Sequence, residues 1–345
     1  MALSDVDRVE RARELAESVI DSSVTGSVRV RYLDLVETAI LLTTDELSDL
    51  DFKIAGSALR EMREAFSMFK PYSQLRKVTI FGSARTKPHD PLYEETVQLA
   101  RSLAEHGWMV VTGAGPGIME AGMVGAGREM SIGVSIRLPF ETGANPIIAG
   151  DEKYVSMRYF FTRKLMLVKE SHAFVALPGG FGTLDETFEL LTLLQTGKSV
   201  PVPVILMNPL GTPYWEHLDR FFHEVLLPSG MISEDDFALY SLANHGSDAV
   251  AEIQLFYANY DSLRFVGPNL YIRHRHTISD QELSNLNTEF ADIVSESIVR
   301  SAPSRQEQIE SEKLDLQRLR LRFDKRSYGR LRELINRLNQ LGEAS

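Results

Sequence analysis

The sequence predicts an α/β protein built around a parallel β-sheet. In the middle of the chain, short and nearly continuous apolar segments alternate with amphipathic segments of helical periodicity. Buried strands that alternate with helices are typical of a parallel sheet covered by helices on both faces. Glycine is concentrated between Gly82 and Gly211, whereas the two ends of the chain are poor in glycine and have helical periodicity. We therefore expect a doubly wound, Rossmann-like sheet with N- and C-terminal helical extensions.

Five strands and five helices are expected to alternate in this middle region. The strands are expected at 78–81, 108–112, 132–136, 173–177 and 202–207, and the helices near 91–106, 116–130, 157–170, 183–196 and 214–227. Ligands of doubly wound sheets bind at the carboxyl ends of the strands, near the point where the strand order reverses. A site is therefore expected in the turns that follow these strands.

The same pattern divides the chain into three parts, which are a helical extension at 1–74, a sheet-bearing domain at 75–260 and a second helical extension at 261–345. Apolar residues at helical spacing predict a helix near each end of the chain. They are Val6, Val9, Ala12, Ala16, Val19 and Ile20 in the first part, and Leu331, Leu334, Ile335, Leu338 and Leu341 in the last.

Composition excludes several classes of protein. The 345 residues include 37 Lys and Arg against 48 Asp and Glu, and the net charge of -11 argues against general nucleic-acid binding. The chain has no cysteine, which removes disulfides, thiolate nucleophiles and iron–sulfur clusters. Its histidines lack metal-binding spacing, and no apolar run approaches the roughly 18 residues of a membrane helix. We expect a cytoplasmic protein without a membrane partner or a metal site.

Three glycine-bearing turns follow predicted strands, at 81–85, 112–120 and 177–186. Glycine lets the backbone approach a ligand closely, and a helix that follows such a turn begins with unpaired N–H groups. These groups and the helix dipole favour an anion, most often a phosphate. Since the carboxyl ends of parallel strands meet at one edge of the sheet, we expect the three turns to converge on a phosphate-bearing ligand.

Two common nucleotide-binding motifs are incomplete in this chain. The dinucleotide fingerprint G-x-G-x-x-G would need glycine at Ile118, and no acidic residue closes a strand about twenty positions later. The segment 196–199 resembles the end of a P-loop, but the earlier glycine would fall at Thr192, and the segment ends a helix instead of opening one. A nicotinamide dehydrogenase and a P-loop NTPase are therefore disfavoured.

Two features near the turns could carry chemistry. Glu186 lies in the first turn of a helix, where a carboxylate can bond ribose hydroxyls, stabilise an oxocarbenium-like ribose or activate water, or only complement the helix dipole. Arg163 and Lys164 are neighbours in an aromatic and aliphatic helix. Helical geometry directs neighbours roughly 100° apart, so one of them could face a phosphate or a leaving base, or both could lie on a solvated face.

Together these motifs resemble the Lonely Guy (LOG) family of nucleoside-monophosphate phosphoribohydrolases over about 75–260. Ala114 stands where many members have a third glycine, and the segments 138–141 and 145–146 look like the bacterial form. The matching positions are Pro178, Gly179, Gly180, Gly182, Thr183 and Glu186 for the family pattern P-G-G-x-G-T-x-x-E, Arg163 and Lys164 for its R-K pair, Gly82 and Ser83 for its first turn, and 113–119 for its glycine loop.

The resemblance implies hydrolysis of the N-glycosidic bond of a nucleoside 5′-monophosphate, AMP-like or a cytokinin riboside monophosphate, to free base and ribose 5-phosphate. It implies that Arg163 and Glu186 are the catalytic pair, that no cofactor or metal is needed, and that the protein is a homodimer or higher homo-oligomer with the site near the subunit interface. The residues implied to bind the phosphate and the rest of the substrate are Gly82, Ser83, Arg85, Gly113, Gly115, Gly117, Met119, Lys164, Pro178, Gly179, Gly180, Gly182 and Thr183.

Other functions stay open on the sequence alone. A nucleotide-binding or carrier protein could use the same pocket without turnover, and in an interaction protein the helical extensions would dominate. The older family label of lysine decarboxylase has no support, because no lysine in the glycine turns suggests a Schiff base with pyridoxal phosphate. Glycines do not read a base, so the preferred nucleotide also stays open, and longer bacterial relatives act on ordinary nucleotides.

Overall fold

The computed structural model describes residues 5–138, 143–208 and 211–341. Contacts between residues divide the chain into two units, Met1–Arg63 and Glu64–Ser345. The first unit is helical, as predicted, and its last helix continues into the second unit. The helices are α1 (Asp5–Val19), α2 (Gly26–Leu41) and α3 (Asp49–Phe69).

The second unit contains a parallel sheet of seven strands. The strands are β1 (Lys77–Phe81), β2 (Met109–Thr112), β3 (Ser131–Ile136), β4 (Tyr154–Met157), β5 (Ala173–Ala176), β6 (Val204–Met207) and β7 (Ser241–Ala243). Their order is β4-β3-β2-β1-β5-β6-β7, and every neighbouring pair is parallel. The strand order therefore reverses between β1 and β5, which confirms the doubly wound, Rossmann-like sheet.

The two strands that the sequence analysis misses lie at the two edges of the sheet. β4 alternates between buried and half-buried residues, and β7 has three residues, of which one is buried. An edge strand has a neighbour on one side only and is less completely covered, so neither segment shows the continuous apolar run that marks the five interior strands.

Helices connect the strands and cover the sheet. They are α4 (Pro91–Glu105), α5 (Ile118–Ala126), α6 (Phe160–Lys169), α7 (Phe181–Gln195), α8 (Tyr214–Phe221), which runs on into a π-helical turn (Phe222–Leu226), and α9 (Gly246–Phe256). Asp90 begins α4 by accepting a hydrogen bond from the backbone N–H of Leu92. α5 ends before the predicted 130, because Gly127 adopts a φ of +74° that terminates the helix.

The C-terminal region contains a second, antiparallel sheet with the order β10-β11-β9-β8. Its elements are β8 (Tyr260–Val266), β9 (Asn269–His274), α10 (Asp280–Glu289), β10 (Val299–Arg300), α11 (Arg305–Glu310), β11 (Gln317–Leu321) and α12 (Tyr328–Asn339). The expectation of a purely helical extension at 261–345 is therefore wrong over these strands. Gly267, with a φ of +58°, opens the two-residue loop of the β8–β9 hairpin, a local turn signal that the low glycine content of the region obscures. The predicted apolar stripe is confirmed as the buried face of α12.

One continuous apolar core runs from the parallel sheet to the C-terminal helix. It includes Ile80 and Val110 of the parallel sheet, Ile272 and Leu319 of the antiparallel sheet, and Leu334 of α12, all fully buried. Burying each such side chain stabilises the fold by about 1.5–3 kcal/mol relative to leaving it exposed. The chain from Glu64 onward is therefore one compact unit, and the three-part division made from the sequence stays a prediction.

A buried ionic cluster joins α11 to the antiparallel sheet. One carboxylate oxygen of Glu307 accepts hydrogen bonds from Nε of Arg273 at 2.8 Å and from Nε of Arg318 at 3.2 Å. The other oxygen accepts from the backbone N–H of Ser304 at 2.7 Å. Burial opposes ionisation of Glu307, but these hydrogen bonds outweigh it and lower its pKa to about 2. The carboxylate is therefore a charged structural group whose hydrogen bonds are built into the fold.

We predict that Glu307→Gln lowers the free energy of unfolding near pH 7 by about 3 kcal/mol, because it removes the carboxylate that two buried guanidinium groups share and leaves Arg318 without this counter-charge, whereas Arg273 keeps its ion pair with Glu312. Urea unfolding followed by circular dichroism measures this loss. The ionised carboxylate stabilises the folded state above its ordinary pKa of 4.5 and loses that effect as the pH falls toward its folded value of about 2. The deficit of the variant should therefore shrink over that acidic interval.

The matched control is Glu310→Gln, which changes an exposed carboxylate on the same helix and should alter the free energy of unfolding by less than about 1 kcal/mol. Equal effects of the two substitutions would contradict a special role for the buried cluster.

Candidate active site

The three glycine turns lie at the carboxyl ends of β1, β2 and β5, which are neighbours in the sheet. Gly82 directly follows β1, and the backbone N–H of Ile118 donates to the carbonyl of Ser83 at 3.0 Å. Gly117 has a φ of +68°, and a Cβ at this position would overlap the carbonyl oxygen of Ser83. A Cβ at Gly179 would lie 3.2 Å from the backbone nitrogen of Ser83. The predicted convergence of the three turns is therefore present in the structure.

The third turn leads directly into α7. Gly180 is the N-cap residue of this helix, and Pro178 and Gly179 connect it to β5. Gly182 lies in the first turn of the helix, and the side chain of Thr183 is buried against Gly179. The first N–H groups of a helix have no intrahelical partner and carry a partial positive charge. This end of α7 can therefore bind an anion beside the first turn.

Arg163 of α6 and Glu186 of α7 form a buried ion pair next to these turns. Nη1 of Arg163 lies 2.5 Å from Oε1 of Glu186, and the two side chains are 10% and 11% exposed. Nε of Arg163 donates to the carbonyl of Val134 in β3 at 3.1 Å. A Cβ at Gly113 would overlap Nη2 of Arg163, so the absence of a side chain in the second turn makes room for the guanidinium. The pair therefore lies between α7, which carries Glu186, β3, which accepts a hydrogen bond from Arg163, and the glycine loop, which leaves room for the guanidinium.

The surroundings of Glu186 alter its acidity. Burial raises its pKa above the ordinary value of 4.5, while the neighbouring guanidinium of Arg163 acts in the opposite direction. A carboxylate with a raised pKa exchanges its proton closer to neutral pH, which suits a general base. Its ionised form also has the charge needed to stabilise a positively charged sugar ring.

Three residues that the sequence predicts to bind substrate make other contacts in the structure. Nζ of Lys164 lies 2.8 Å from Asp185 and 2.7 Å from Glu189, so this cation joins α6 to α7 instead of facing the glycine turns. Burial of Lys164 opposes its charge, but the two carboxylates raise its pKa overall. The neighbours therefore divide as helical geometry requires, with Arg163 facing the turns and Lys164 facing away.

The other two are Arg85 and Met119. The backbone N–H of Arg85 donates to the hydroxyl of Ser83 at 3.1 Å, which stabilises the first turn, and its side chain is exposed. The Met119 side chain fills the space beside Gly113 and Gly115, where a Cβ would overlap it. Met119 thus packs the second turn, and the exposed side chain of Arg85 is free of any such packing.

Two residues that hold the turns escape sequence analysis. The hydroxyl of Tyr214 in α8 donates to the carbonyl of Gly179 at 2.8 Å. Asn145 donates from its backbone to the carbonyl of Ala114 at 2.8 Å and from its side chain to the carbonyl of Gly115 at 3.2 Å. The segment that contains Asn145 is a visible motif, but nothing local connects Tyr214 with a turn far earlier in the chain. Positions 139–141 of the neighbouring motif lie outside the described residues.

The backbone conformation at Ala114 explains why many members of the family have glycine at this position. Ala114 adopts a φ of +57°, in the left-handed region that glycine enters at least cost. The buried Asn145 bonds the carbonyl of Ala114 and helps to hold this conformation. A third glycine at this position is therefore understandable from the backbone of the loop.

Among the residues with assigned positions, no group of three or more His, Cys, Asp or Glu side chains is placed to hold a metal ion. In the described ranges, no helix combines the length and apolar character needed to cross a bilayer. The expectations about cofactors and compartment stay predictions.

The fold and the site together define a Rossmann-like α/β protein with an anion-binding helix terminus beside a buried Arg–Glu pair. Residues 116–253 match a family described as possible lysine decarboxylase. The chain is 27% identical over 197 residues to the cytokinin riboside 5′-monophosphate phosphoribohydrolase LOG of Oryza sativa subsp. japonica, covering 55% of this chain and 77% of that protein. It is 29% identical over 199 residues to the corresponding enzyme LOG7 of Arabidopsis thaliana, covering 55% and 87%. The central region is thus similar to the Lonely Guy proteins, as its motifs predict.

Solved structures also resemble this region. A molybdenum cofactor binding protein from the phototrophic bacterium Rippkaea orientalis aligns with a TM-score of 0.37 at 18% identity, covering 52% of this chain and 96% of that one.

We predict that Arg163→Met lowers the free energy of unfolding by about 3 kcal/mol near pH 8, because it leaves the Glu186 carboxylate buried without its cation. The pKa of Glu186, already raised by burial, should rise further. A raised folded pKa means that stability is retained at low pH and lost as the pH increases, so the deficit should be smaller near pH 5. Urea unfolding at the two pH values measures the difference.

The double variant Arg163→Met with Glu186→Gln should recover most of this loss, since neither charge is then buried alone. Lys164→Met is the neighbouring control and should cost about 1 kcal/mol or less, because its partner Asp185 is largely exposed. A double variant as unstable as Arg163→Met would show that the pair is not coupled.

Proposed function

We propose that the protein hydrolyses the N-glycosidic bond of a nucleoside 5′-monophosphate to free base and ribose 5-phosphate. The observation that carries this proposal is the buried Arg163–Glu186 pair, 2.5 Å apart and one helical turn from the N-terminus of α7. Its relatives in rice and Arabidopsis are named as phosphoribohydrolases of this kind of nucleotide. A protein that only bound a nucleotide would not need a carboxylate of raised pKa at this position.

The proposed substrate lies across the converging turns. Its phosphate accepts hydrogen bonds from the N–H of Gly182 in the first turn of α7 and from the turn at Ser83, whereas the N–H of Thr183 donates to the carbonyl of Gly180. Glu186 lies about 5.4 Å further along the helix axis, one turn from the phosphate. A ribose joined to that phosphate therefore reaches the carboxylate, and its anomeric carbon lies beside the Arg–Glu pair.

In the proposed reaction, the bond between the anomeric carbon and the base nitrogen breaks as positive charge develops on the ribose. The ionised carboxylate of Glu186 stabilises that charge and takes a proton from the attacking water. The water oxygen bonds the anomeric carbon, and the base leaves with the bonding electron pair and acquires the proton that Glu186 took from the water, which returns the carboxylate to its ionised form. Arg163 orients Glu186 and keeps its carboxylate ionised in a buried site. No step requires a lysine nucleophile, and Lys164 is paired with Asp185 and Glu189.

The proposal is tested by incubating the protein with AMP, GMP, CMP, UMP, IMP and N6-isopentenyl-AMP and separating free base by chromatography. We expect release from at least one nucleotide. Glu186→Gln should reduce kcat/KM by about 10²–10⁴-fold, the contribution typical of a general base. Glu189→Gln, a carboxylate on the same helix that faces Lys164, is the matched control and should retain activity.

Two results would contradict the proposal. Absence of release from every nucleotide would refute hydrolysis, and nucleotide binding without release would support a carrier. Unchanged turnover in Glu186→Gln would remove the assigned role of that residue.

We also propose that the protein acts as a homodimer or larger homo-oligomer with the site close to the subunit interface. Phe160, Phe161 and Leu165 of α6 and Phe188 of α7 are substantially exposed, and Phe181 at the start of α7 is 92% exposed. Contiguous exposed apolar surface of this kind is typical of an interaction site. These residues lie on the two helices that carry Arg163 and Glu186, which fits a shared or bordering site.

Sedimentation velocity should show a dimer or a larger species. Phe161→Glu should shift it toward the monomer, because a carboxylate would be buried without a partner. Leu255→Glu, at an exposed apolar position on α9, should leave the assembly unchanged. A monomeric wild-type protein would refute this part of the proposal.

A further inference from the structure

A separate cavity lies beside the catalytic pair, at the carboxyl ends of β2, β3 and β4. Its volume is about 110 Å³. Most of its lining is glycine backbone or polar side chains, with Ile136 and Leu138 at its apolar side. The polar and glycine residues are Gly113, Gly115, Gly143, Ser135, Arg137, Tyr154 and Ser156.

Arg163 connects this cavity to the end of α7. Its Nε bonds the carbonyl of Val134, the residue before Ser135, while its Nη1 bonds Glu186. Gly113 both lines the cavity and lies against the guanidinium of Arg163. A ligand that crosses the Arg–Glu pair from α7 therefore continues toward the cavity.

The strand order sets the length of this path. The α7 terminus follows β5, the cavity lies around β3, and β1 and β2 stand between them. Three strand spacings amount to roughly 14 Å. With the phosphate at α7 and the ribose at Glu186, the third part of a nucleotide, its base, lies at the cavity.

The polar groups of the cavity combine hydroxyls, which can donate or accept, with a guanidinium that can only donate. Ser135 Oγ and Tyr154 OH are 2.8 Å apart, so one of them donates to the other and the second hydroxyl keeps its proton for a ligand. Within the described parts of the chain, the Arg137 guanidinium donates to Ser156 alone, through Nε to the hydroxyl at 3.4 Å and through Nη2 to the carbonyl at 3.1 Å. A guanidinium has five N–H donors and no acceptor, so Arg137 has donors to spare for a ligand.

Base edges differ in what they offer to such a group. Guanine and hypoxanthine present two acceptors side by side, O6 and N7, which match the fork of a guanidinium. Adenine presents N7 beside an N6 amine, which is a donor and faces the guanidinium unfavourably. An N6-substituted adenine would in addition place an apolar group against hydroxyls and a cation.

We propose that this cavity receives the base and that Arg137, with Ser135 and Tyr154, selects 6-oxopurine nucleotides over adenine nucleotides. The inference rests on the proposed function for the placement of phosphate and ribose. It names the substrate class of that site as guanosine or inosine 5′-monophosphate. Arg137 is the specificity-determining residue, and Arg163 and Glu186 act on the ribose whichever base is bound.

The test compares kcat/KM for GMP, IMP and AMP in the wild type, Arg137→Met and Arg137→Lys. The wild type should prefer GMP and IMP over AMP by at least about tenfold, the discrimination of one bidentate contact. Arg137→Met should reduce this ratio to within about threefold, chiefly by lowering kcat/KM for the two oxopurines. Arg137→Lys keeps the charge but loses the fork, so it should lose most of the selectivity as well.

Arg220→Met, at an exposed arginine on α8, is the matched control and should leave the ratio unchanged. If Arg137→Met does not fold, Ser135→Ala replaces it, with a smaller expected loss of the ratio. A wild type that prefers AMP would overturn the inference. So would an equal loss for all three nucleotides in Arg137→Met with selectivity retained in Arg137→Lys, since that pattern marks a phosphate contact.

Binding separates this inference from the proposed function. If the wild type releases no base from any nucleotide, hydrolysis is refuted, and calorimetric Kd values for GMP, IMP and AMP then test the cavity directly. Tighter binding of GMP and IMP, lost in Arg137→Met, would support the base preference without catalysis. Equal Kd values, or no binding of any of the three, would overturn it.

Discussion

The Arg163–Glu186 ion pair is the interaction around which the rest of the site is arranged. Two opposite charges that are each about nine-tenths buried are tolerable only when both are paired and hydrogen-bonded. The pair meets that requirement through the carbonyl of Val134 and through the close approach of the loop at Gly113. The same burial raises the pKa of Glu186, so the constraint that makes the pair costly to bury also makes the carboxylate suited to proton transfer.

The glycine loops around this pair depend on contacts made far along the chain. Tyr214 holds the carbonyl of Gly179, and Asn145 holds those of Ala114 and Gly115. Without these bonds, loop carbonyls beside a buried site would need other partners, because buried backbone acceptors are rarely unpaired. Such hydrogen bonds fix the loops that surround an anion site before any ligand arrives, which lowers the entropy lost on binding.

The C-terminal region contributes to the same site through α7. Gly197, at the end of this helix, has a φ of +67°, and a Cβ there would overlap the ring of Tyr328 in α12. α7 is therefore packed at its C-terminal end by α12 and carries Glu186 near its N-terminal end. The continuous core beneath both elements explains why residues Glu64–Ser345 form one compact unit. The C-terminal region, which the sequence presents as an extension, therefore helps to support α7.

The sequence by itself determined the interior strands, the three glycine turns and the candidate pair, because buried runs and turn glycines are local patterns. It left open whether one of Arg163 and Lys164 would face the turns or both would lie on a solvated face. Tertiary structure decided that Arg163 does, since the buried carbonyl of Val134 accepts a hydrogen bond from its Nε and the carboxylates of Asp185 and Glu189 hold the ammonium of Lys164. It alone decided the edge strands, the antiparallel sheet and the roles of Tyr214 and Asn145. Those features depend on partners distant in the chain, and a sequence pattern contains no record of which distant groups meet.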